Sequence, residues 1–258
     1  MAAGVLAFRN MSVEEQRSLA VSASRLDRGN LSWDIGVSSL NIHEQARFTK
    51  SQFSRAKRTI DIVAGSAALV LLGSPMAILA IFIRCKLGSP VFFRQTRVGR
   101  NGQSFELVKF RSMTNTCDAS GVLLPDCQRI TTFGATLRCT SLDEFPELWN
   151  VIRGDMSLVG PRPLLARYTE YFTDEERLRL LVRPGITGWA QVNGRNTASW
   201  NKRLGMDAWY VRNRSFRLDI RIMCMTLAQV FLKSGVVVDP ESMMQDLDDE
   251  RRDRTDIK

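Results

Sequence analysis

The sequence holds a single histidine, His43, and that scarcity excludes more chemistry than any one motif supplies. With one imidazole there is no Ser-His-Asp or Cys-His nucleophilic machinery and no multi-histidine metal site. The five cysteines, Cys85, Cys117, Cys127, Cys139 and Cys224, are odd in number and include no C-x-x-C pair. They read as reduced thiols of a cytosolic environment, not as a disulfide framework or a zinc site. There is no G-x-x-x-x-G-K-[ST] loop, no G-x-G-x-x-G fingerprint and no internal repeat. The lone D-x-D, Asp246-Leu247-Asp248, sits in an acidic tail and reads as a decoy. Chemistry therefore falls to carboxylates, lysines, arginines, hydroxyls or thiols.

What the chain has in excess is positive charge. A net charge of +9 over 258 residues points to an anionic partner: nucleic acid, an anionic membrane surface or a phosphorylated substrate. Residues 1–53 are polar and without sustained period, and composition predicts a disordered extension. From Ile62 to Ile83 no residue is charged, enough to cross a ~30 Å hydrocarbon core as a straight helix. Gly73-Ser74-Pro75 interrupts its middle, where proline predicts a kink or break. Lys50, Arg55, Lys57 and Arg58 precede the run, and Arg84, Lys86, Arg94, Arg97 and Arg100 follow it. Both flanks carry the cytoplasmic signature. A re-entrant hairpin and a proline-kinked spanning helix are both open on these grounds.

From Arg84 to Arg111 there are seven basic residues and one acid, Glu106. Val91-Phe92-Phe93 and Ser104–Phe110 read as strands joined by a turn at Gly99-Arg100-Asn101-Gly102. This basic hairpin is either a lipid-binding patch or a phosphate-binding wall with Lys109 or Arg111 pointing inward. Thr173 is a plausible cap for a helix over Asp174 to Val182. The loop from Arg183 to Asn196 is rich in glycine and arginine, and read alone it is simply a loop. Leu218 to Val238 reads as a core or interfacial helix, with Trp200, Trp209 and Tyr210 before it suited to a membrane interface. The tail from Asp239 is charged and predicted to be disordered.

The most informative stretch is Thr140-Ser141-Leu142-Asp143-Glu144-Phe145-Pro146-Glu147-Leu148-Trp149-Asn150. Ser141 and Glu144 fit a capping box, which is the structural reading of the pair. At a helix N-terminus, however, the dipole favours an ionised Asp143 and equally a phosphate attached to it. Adjacent carboxylates can share a divalent cation, and a carboxylate is a recognised nucleophile at phosphorus.

Several motifs occur in one order: Lys57-Arg58-x-x-Asp61, Ser74-Pro75, Lys109-Phe110-Arg111-Ser112-Met113, Ser141-Leu142-Asp143-Glu144, the run from Gly154 to Leu164 and the run from Arg183 to Arg195. With these the chain closely resembles, from about Ser54 to Val236, the small monotopic phosphoglycosyl transferases, the bacterial sugar transferases that start glycoconjugate assembly on polyprenyl phosphate. The resemblance implies an α+β, predominantly helical fold. A re-entrant membrane helix broken at Ser74 and Pro75 (54–86), with interfacial amphipathic helices, would pack on a small cytoplasmic catalytic domain (87–238), followed by a charged tail (239–258). It implies a magnesium-dependent, ping-pong reaction at the cytoplasmic face of a bacterial inner membrane. Asp143 would attack the sugar-bearing phosphorus of a UDP-sugar, release UMP and hold a phospho-sugar until polyprenyl phosphate accepts it. Glu144 would help hold Mg2+ with Asp143. Lys109, Arg138, Arg195 and Asp219 fall where the family keeps phosphate- or metal-site side chains.

The implied partners are the UDP-sugar, polyprenyl phosphate, the membrane and downstream glycosyltransferases, with no nucleic acid. Hexose and acetamido-hexose members share these motifs, so the motifs do not specify the sugar. Two competing readings are a non-catalytic, membrane-anchored basic adaptor and a metal-dependent phosphohydrolase that needs no lipid acceptor. The adaptor does not account for an acidic pair in a basic chain or for the recurrent Gly/Arg loops, and the hydrolase is set apart by turnover without a lipid acceptor.

Overall fold

The uncharged run lies inside one long helix, α1 (Ser51–Leu87). The computed structural model describes residues 51–194, 198–232 and 246–255, so most of the N-terminal extension, Arg195 and residues 233–245 lie outside the described residues. After α1 come the strands β1 (Phe92–Val98) and β2 (Ser104–Phe110), then α2 (Asp126–Arg129) and α3 (Thr132–Cys139). A 3-10 turn over Leu142–Glu144 leads into α4 (Glu147–Arg153) and β3 (Ser157–Val159). Then follow α5 (Asp174–Arg177), β4 (Gly185–Thr187), α6 (Trp189–Gly194), α7 (Trp200–Asn213), α8 (Phe216–Leu232) and α9 (Leu247–Thr255). The architecture is α+β and mostly helical.

Helical conformation runs through Ser74-Pro75 without interruption, so the expected break at this pair is absent. Proline removes one backbone donor and crowds the preceding turn. In a helix of 37 residues the turns on either side absorb that single lost bond. Both halves of α1 rest on the same domain. On the N-terminal half, Arg58 donates to Val151 O at 2.5 Å and Ile152 O at 2.7 Å, closing the C-terminal carbonyls of α4. Asp61 accepts from Leu158 N at 3.1 Å. On the C-terminal half, Ile83 is fully buried against Phe110 and Leu137. There the domain returns the favour: Arg111 donates to Leu87 O and, at 2.8 Å, to Ser89 O. Between these anchors Val70 and Leu71 are 84% and 77% exposed. Such an apolar stretch bared to water marks a surface meant for lipid or a partner.

The hairpin forms as the spacing predicts. β1 and β2 pair antiparallel from Phe92 opposite Phe110 to Val98 opposite Ser104. Asn101 takes the left-handed conformation that the tight reversal requires. A second, parallel pair, β3 with β4, has no counterpart in the sequence reading. Its strands are three residues each, too short to show a period. Glycines make it possible, because a Cβ on Gly185 would lie 2.0 Å from Gly160 N and one on Gly188 would lie 2.1 Å from Gly160 O. Gly185 and Gly188 of this Gly/Arg loop thus serve backbone-on-backbone packing, while Gly194 makes room for the Met206 and Ala198 side chains.

Thr173 caps α5 in a capping box with Glu176, as expected, but the helix is α only to Arg177 and tightens to 3-10 over Leu178–Leu181. Trp200 and Tyr210 do not reach an interface: Trp200 packs edge-on against Tyr168 in one core cluster, and Tyr210 is buried in another. Trp209 does stay exposed, stacked on Trp189. The C-terminal tail is not wholly disordered, because α9 docks through the fully buried Leu247. Asp246 accepts from Tyr168 Oη at 2.6 Å and pairs with Arg167, so this acidic cluster pins a helix.

Candidate active site

The site is assembled from β2, α3, the 3-10 turn and the start of α4. Gly134 lets α3 lie directly on the chain leaving β2, since a Cβ there would fall 1.7 Å from Ser112 O. Arg138 reaches back across this contact, donating Nε to Ser112 Oγ at 2.9 Å. Ser141 follows in the left-handed region, with φ 55°, and its side chain makes no capping bond. The expected capping box is therefore not formed. Ser141 turns the chain instead of capping it, and Glu144 is committed to cations. The α-helix begins only at Glu147, behind Pro146.

Glu144 Oε1 accepts from Lys109 Nζ at 2.7 Å and from Arg162 Nη2 at 2.9 Å. The same Lys109 ammonium lies 3.0 Å from Glu147 Oε1. Asp143 is buried and, among the described residues, makes no hydrogen bond or ion pair. Lys109 is held in place from behind. Asn150, fully buried, accepts from Val108 N at 3.1 Å and donates to Glu106 O at 2.7 Å, gripping β2 on both sides of Leu107.

Three carboxyls in one basic pocket are driven to different states. Burial would raise Glu144, but Arg162 and Lys109 overcome it and hold the group at about 2. Burial pushes Glu147 up to about 7, because Lys109 offsets only part of that cost and the charge on Glu144 adds to it. Asp143 is raised by burial and by Glu144, against the pull of Lys109, Arg138 and Arg162. Glu144 in turn raises Arg162, keeping its guanidinium charged. The arrangement joins a fixed anion, a proton-holding neighbour and a buried carboxylate with free oxygens, all facing cations.

Of the residues expected at the site, the structure brings together Asp143, Glu144, Lys109 and Arg138. Arg195 lies outside the described residues, and Ser74 and Pro75 lie within α1. Asp219 is placed elsewhere in the contact network, 2.5 Å from Lys57 Nζ and 2.7 Å from Tyr210 Oη, partners it does not share with the acidic pair. Two residues of the site were not anticipated. Glu147 stands three positions after Glu144, the spacing that keeps side chains on one side of a helical turn. Arg162 lies between two prolines in Gly160-Pro161-Arg162-Pro163, a turn stiff enough to aim a guanidinium.

Comparison with known proteins matches this site to a family. The profile of the bacterial sugar transferases aligns with residues 52–233, which takes in α1 and every site residue named above. The chain belongs to the bacterial sugar transferase family. It is 47% identical over 180 residues to the "Uncharacterized sugar transferase EpsL" of Bacillus subtilis, covering 70% of this chain and 89% of that protein. It is 35% identical over 251 residues to the "Undecaprenyl-phosphate galactose phosphotransferase" of Salmonella typhimurium, covering 88% of this chain and 52% of the relative. It is 37% identical over 203 residues to the "UDP-glucose:undecaprenyl-phosphate glucose-1-phosphate transferase" of Xanthomonas campestris, covering 74% and 42%. The chain thus spans about half or less of these two named transferases.

Proposed function

We propose that this sugar transferase moves a sugar 1-phosphate from a UDP-sugar to a polyprenyl phosphate, with Asp143 as the covalent nucleophile. The names of the Salmonella and Xanthomonas relatives support the donor and acceptor classes. The observation that carries the reading is the state of Asp143: buried, unpaired among the described residues, and adjoining a Glu144 fixed by Lys109 and Arg162. An unpaired buried carboxylate is costly unless something uses it.

In the proposed reaction an Asp143 oxygen attacks the sugar-bearing phosphorus. The bond from that phosphorus to the bridging oxygen breaks, and UMP leaves with the electron pair. Arg162, Lys109 and Arg138 would face the charge that develops on the diphosphate, and cations already held in place cost no reorganisation at that moment. An oxygen of polyprenyl phosphate then attacks the same phosphorus and displaces the Asp143 carboxylate. The product is a polyprenyl diphospho-sugar, and no water is consumed. The donor chemistry of Asp143 and Glu144 fits Mg2+, which takes oxygen ligands and is commonly held by one or two carboxylates plus substrate phosphates. When bound, Mg2+ would neutralise phosphate charge.

The reading places α1 as a re-entrant helix, bent rather than broken at Ser74-Pro75, in the cytoplasmic leaflet of a bacterial inner membrane. Support comes from the two anchors of α1 on one domain and from the apolar exposure confined between them. A cysteine placed at Ser54 and the exposed native Cys117 should both resist an impermeant thiol reagent added outside intact cells. Labelling of one alone would restore a spanning helix. For the chemistry, purified protein with UDP-sugar, Mg2+ and polyprenyl phosphate should release UMP, and Asp143→Asn should abolish release. Equal release by the two proteins would remove Asp143 as nucleophile. Sustained turnover without the lipid acceptor would make the protein a hydrolase.

A further inference from the structure

A second basic site lies where α1 leaves the domain. A cleft open to solvent is walled by Lys57, Arg58, Arg100, Arg183 and Arg214, and Asp61 is the one carboxylate on its lining. No residue of the Asp143 site lines it.

Three of these cations are already engaged within the fold: Lys57 with Asp219, Arg58 with the end of α4, and Arg183 Nε with Gly154 O at 2.8 Å. The other two are not. Among the described residues the side chains of Arg100 and Arg214 make no hydrogen bond or ion pair, and Arg100 Nε is buried without a partner. Arg214 rests over the Phe53 ring, 5.6 Å from its centre, leaving its donors to the cleft. The cluster holds more cation than counter-charge, since Asp61 is its one lining carboxylate and Asp219 is already paired with Lys57. Burial, then Arg58 and Arg100, lower Arg183, while burial outweighs Tyr210 and Arg100 adds to it to lower Arg214. A fold that gathers guanidiniums against one another leaves room for an anion to complete it.

We propose that this cleft binds a phosphate group and that its occupant is the headgroup of an anionic phospholipid. The position selects the source. Phe53, Lys57 and Arg58 sit on the first turns of α1, and Val63, 63% exposed, opens its apolar surface. Val63 lies five positions after Arg58, about 8 Å of helical rise. A phosphodiester seated between Arg100 and Arg214 would therefore lay its acyl chains along the lipid-facing side of α1. The inference rests on the membrane placement of α1 and not on the chemistry at Asp143.

The test is native mass spectrometry of the full chain in detergent, titrated with dioleoyl-phosphatidylglycerol and, separately, with inorganic phosphate. Wild type should bind the lipid at least tenfold more tightly than the double variant Arg100→Ala/Arg214→Ala, and Asp143→Asn should bind it like wild type. Neither side chain makes a hydrogen bond within the fold, so the double variant should fold, with a small Tm loss from the Arg214–Phe53 contact. Arg100→Gln, which preserves size and polarity, should by itself weaken binding about threefold, so the result does not depend on the alanine pair folding. Equal lipid affinity in wild type and Arg100→Gln would overturn the proposal. Inorganic phosphate filling the site as tightly as the lipid, with loss in Arg100→Gln, would overturn the lipid assignment in favour of a free-phosphate site. Lipid binding that persists in Asp143→Asn while UMP release disappears would separate this cleft from the reaction.

Discussion

Arg162 meets Glu144 Oε1 at 2.9 Å, although the two residues lie on separate elements joined by α4 and β3. This contact, with Lys109, is what keeps one carboxylate of the acidic pair ionised beside another that is raised. Charge-assisted bonds contribute about 1.5–3 kcal/mol. Arg162→Ala should therefore lower kcat/KM for UMP release by roughly 10- to 100-fold, and Arg162→Lys should restore part of it. Steady-state UMP release across donor concentration measures this. An unchanged kcat/KM in Arg162→Ala would detach the guanidinium from the reaction.

Glu147 gives a pH prediction. Its carboxyl rises from 4.5 unfolded to about 7 folded, so the folded state holds the proton more tightly. The stability this contributes is complete below about 4.5 and is lost as pH rises towards 7. Glu147→Gln mimics the protonated form, and above pH 8 it should be more stable than wild type by about 2–3 kcal/mol. Thermal unfolding between pH 5 and 9 should show a falling Tm for wild type and a flatter profile for the variant. Parallel profiles would mean that Glu147 is ionised throughout.

Arg179 and Asp207 form a buried pair at 3.0 Å, with side chains 4% and 6% exposed. Burial raises Asp207 to about 6 even with Arg179 opposing it. Asp207→Asn leaves a buried guanidinium without its counter-charge and should cost about 3–5 kcal/mol. A Tm within one or two degrees of wild type would show that water reaches Arg179.

Gly185→Ala is expected to fail sterically, because its Cβ would meet Gly160 N at 2.0 Å. The parallel β3–β4 pair must then open, carrying Pro161 and Arg162 with it. Poor yield of folded protein, or a Tm loss larger than the ~1–3 kcal/mol of ordinary overpacking, would be the readout. Gly205→Ala, where the added Cβ meets nothing, is the control and should behave like wild type.

Features governed by local rules were legible before the structure. The apolar run announced α1, the Gly99 to Gly102 turn announced the hairpin, and Thr173 announced the helix it caps. Asp143-Glu144 stood out because carboxylates are scarce in the basic surroundings. What escaped the sequence depends on distant partners. Glu144 looked like a cap because Lys109, 35 residues earlier, and Arg162, 18 residues later, are invisible to a local pattern. Glu147 drew no reading at all for the same reason. Trp200 and Tyr210 looked interfacial by type, but the core clusters that claim them form only once α7 packs. Strands of three residues, and a helix held by one buried leucine and by charge pairs to distant residues, carry too little pattern to be read.

The grip of Asn150 on β2 has one more consequence. A two-stranded ribbon leaves its outer edge with unpaired amides and carbonyls, an invitation for a foreign strand to add. By occupying Val108 N and Glu106 O, the Asn150 amide mimics the missing neighbour and ends the ladder with a side chain. That single amide is a guard against edge-to-edge aggregation.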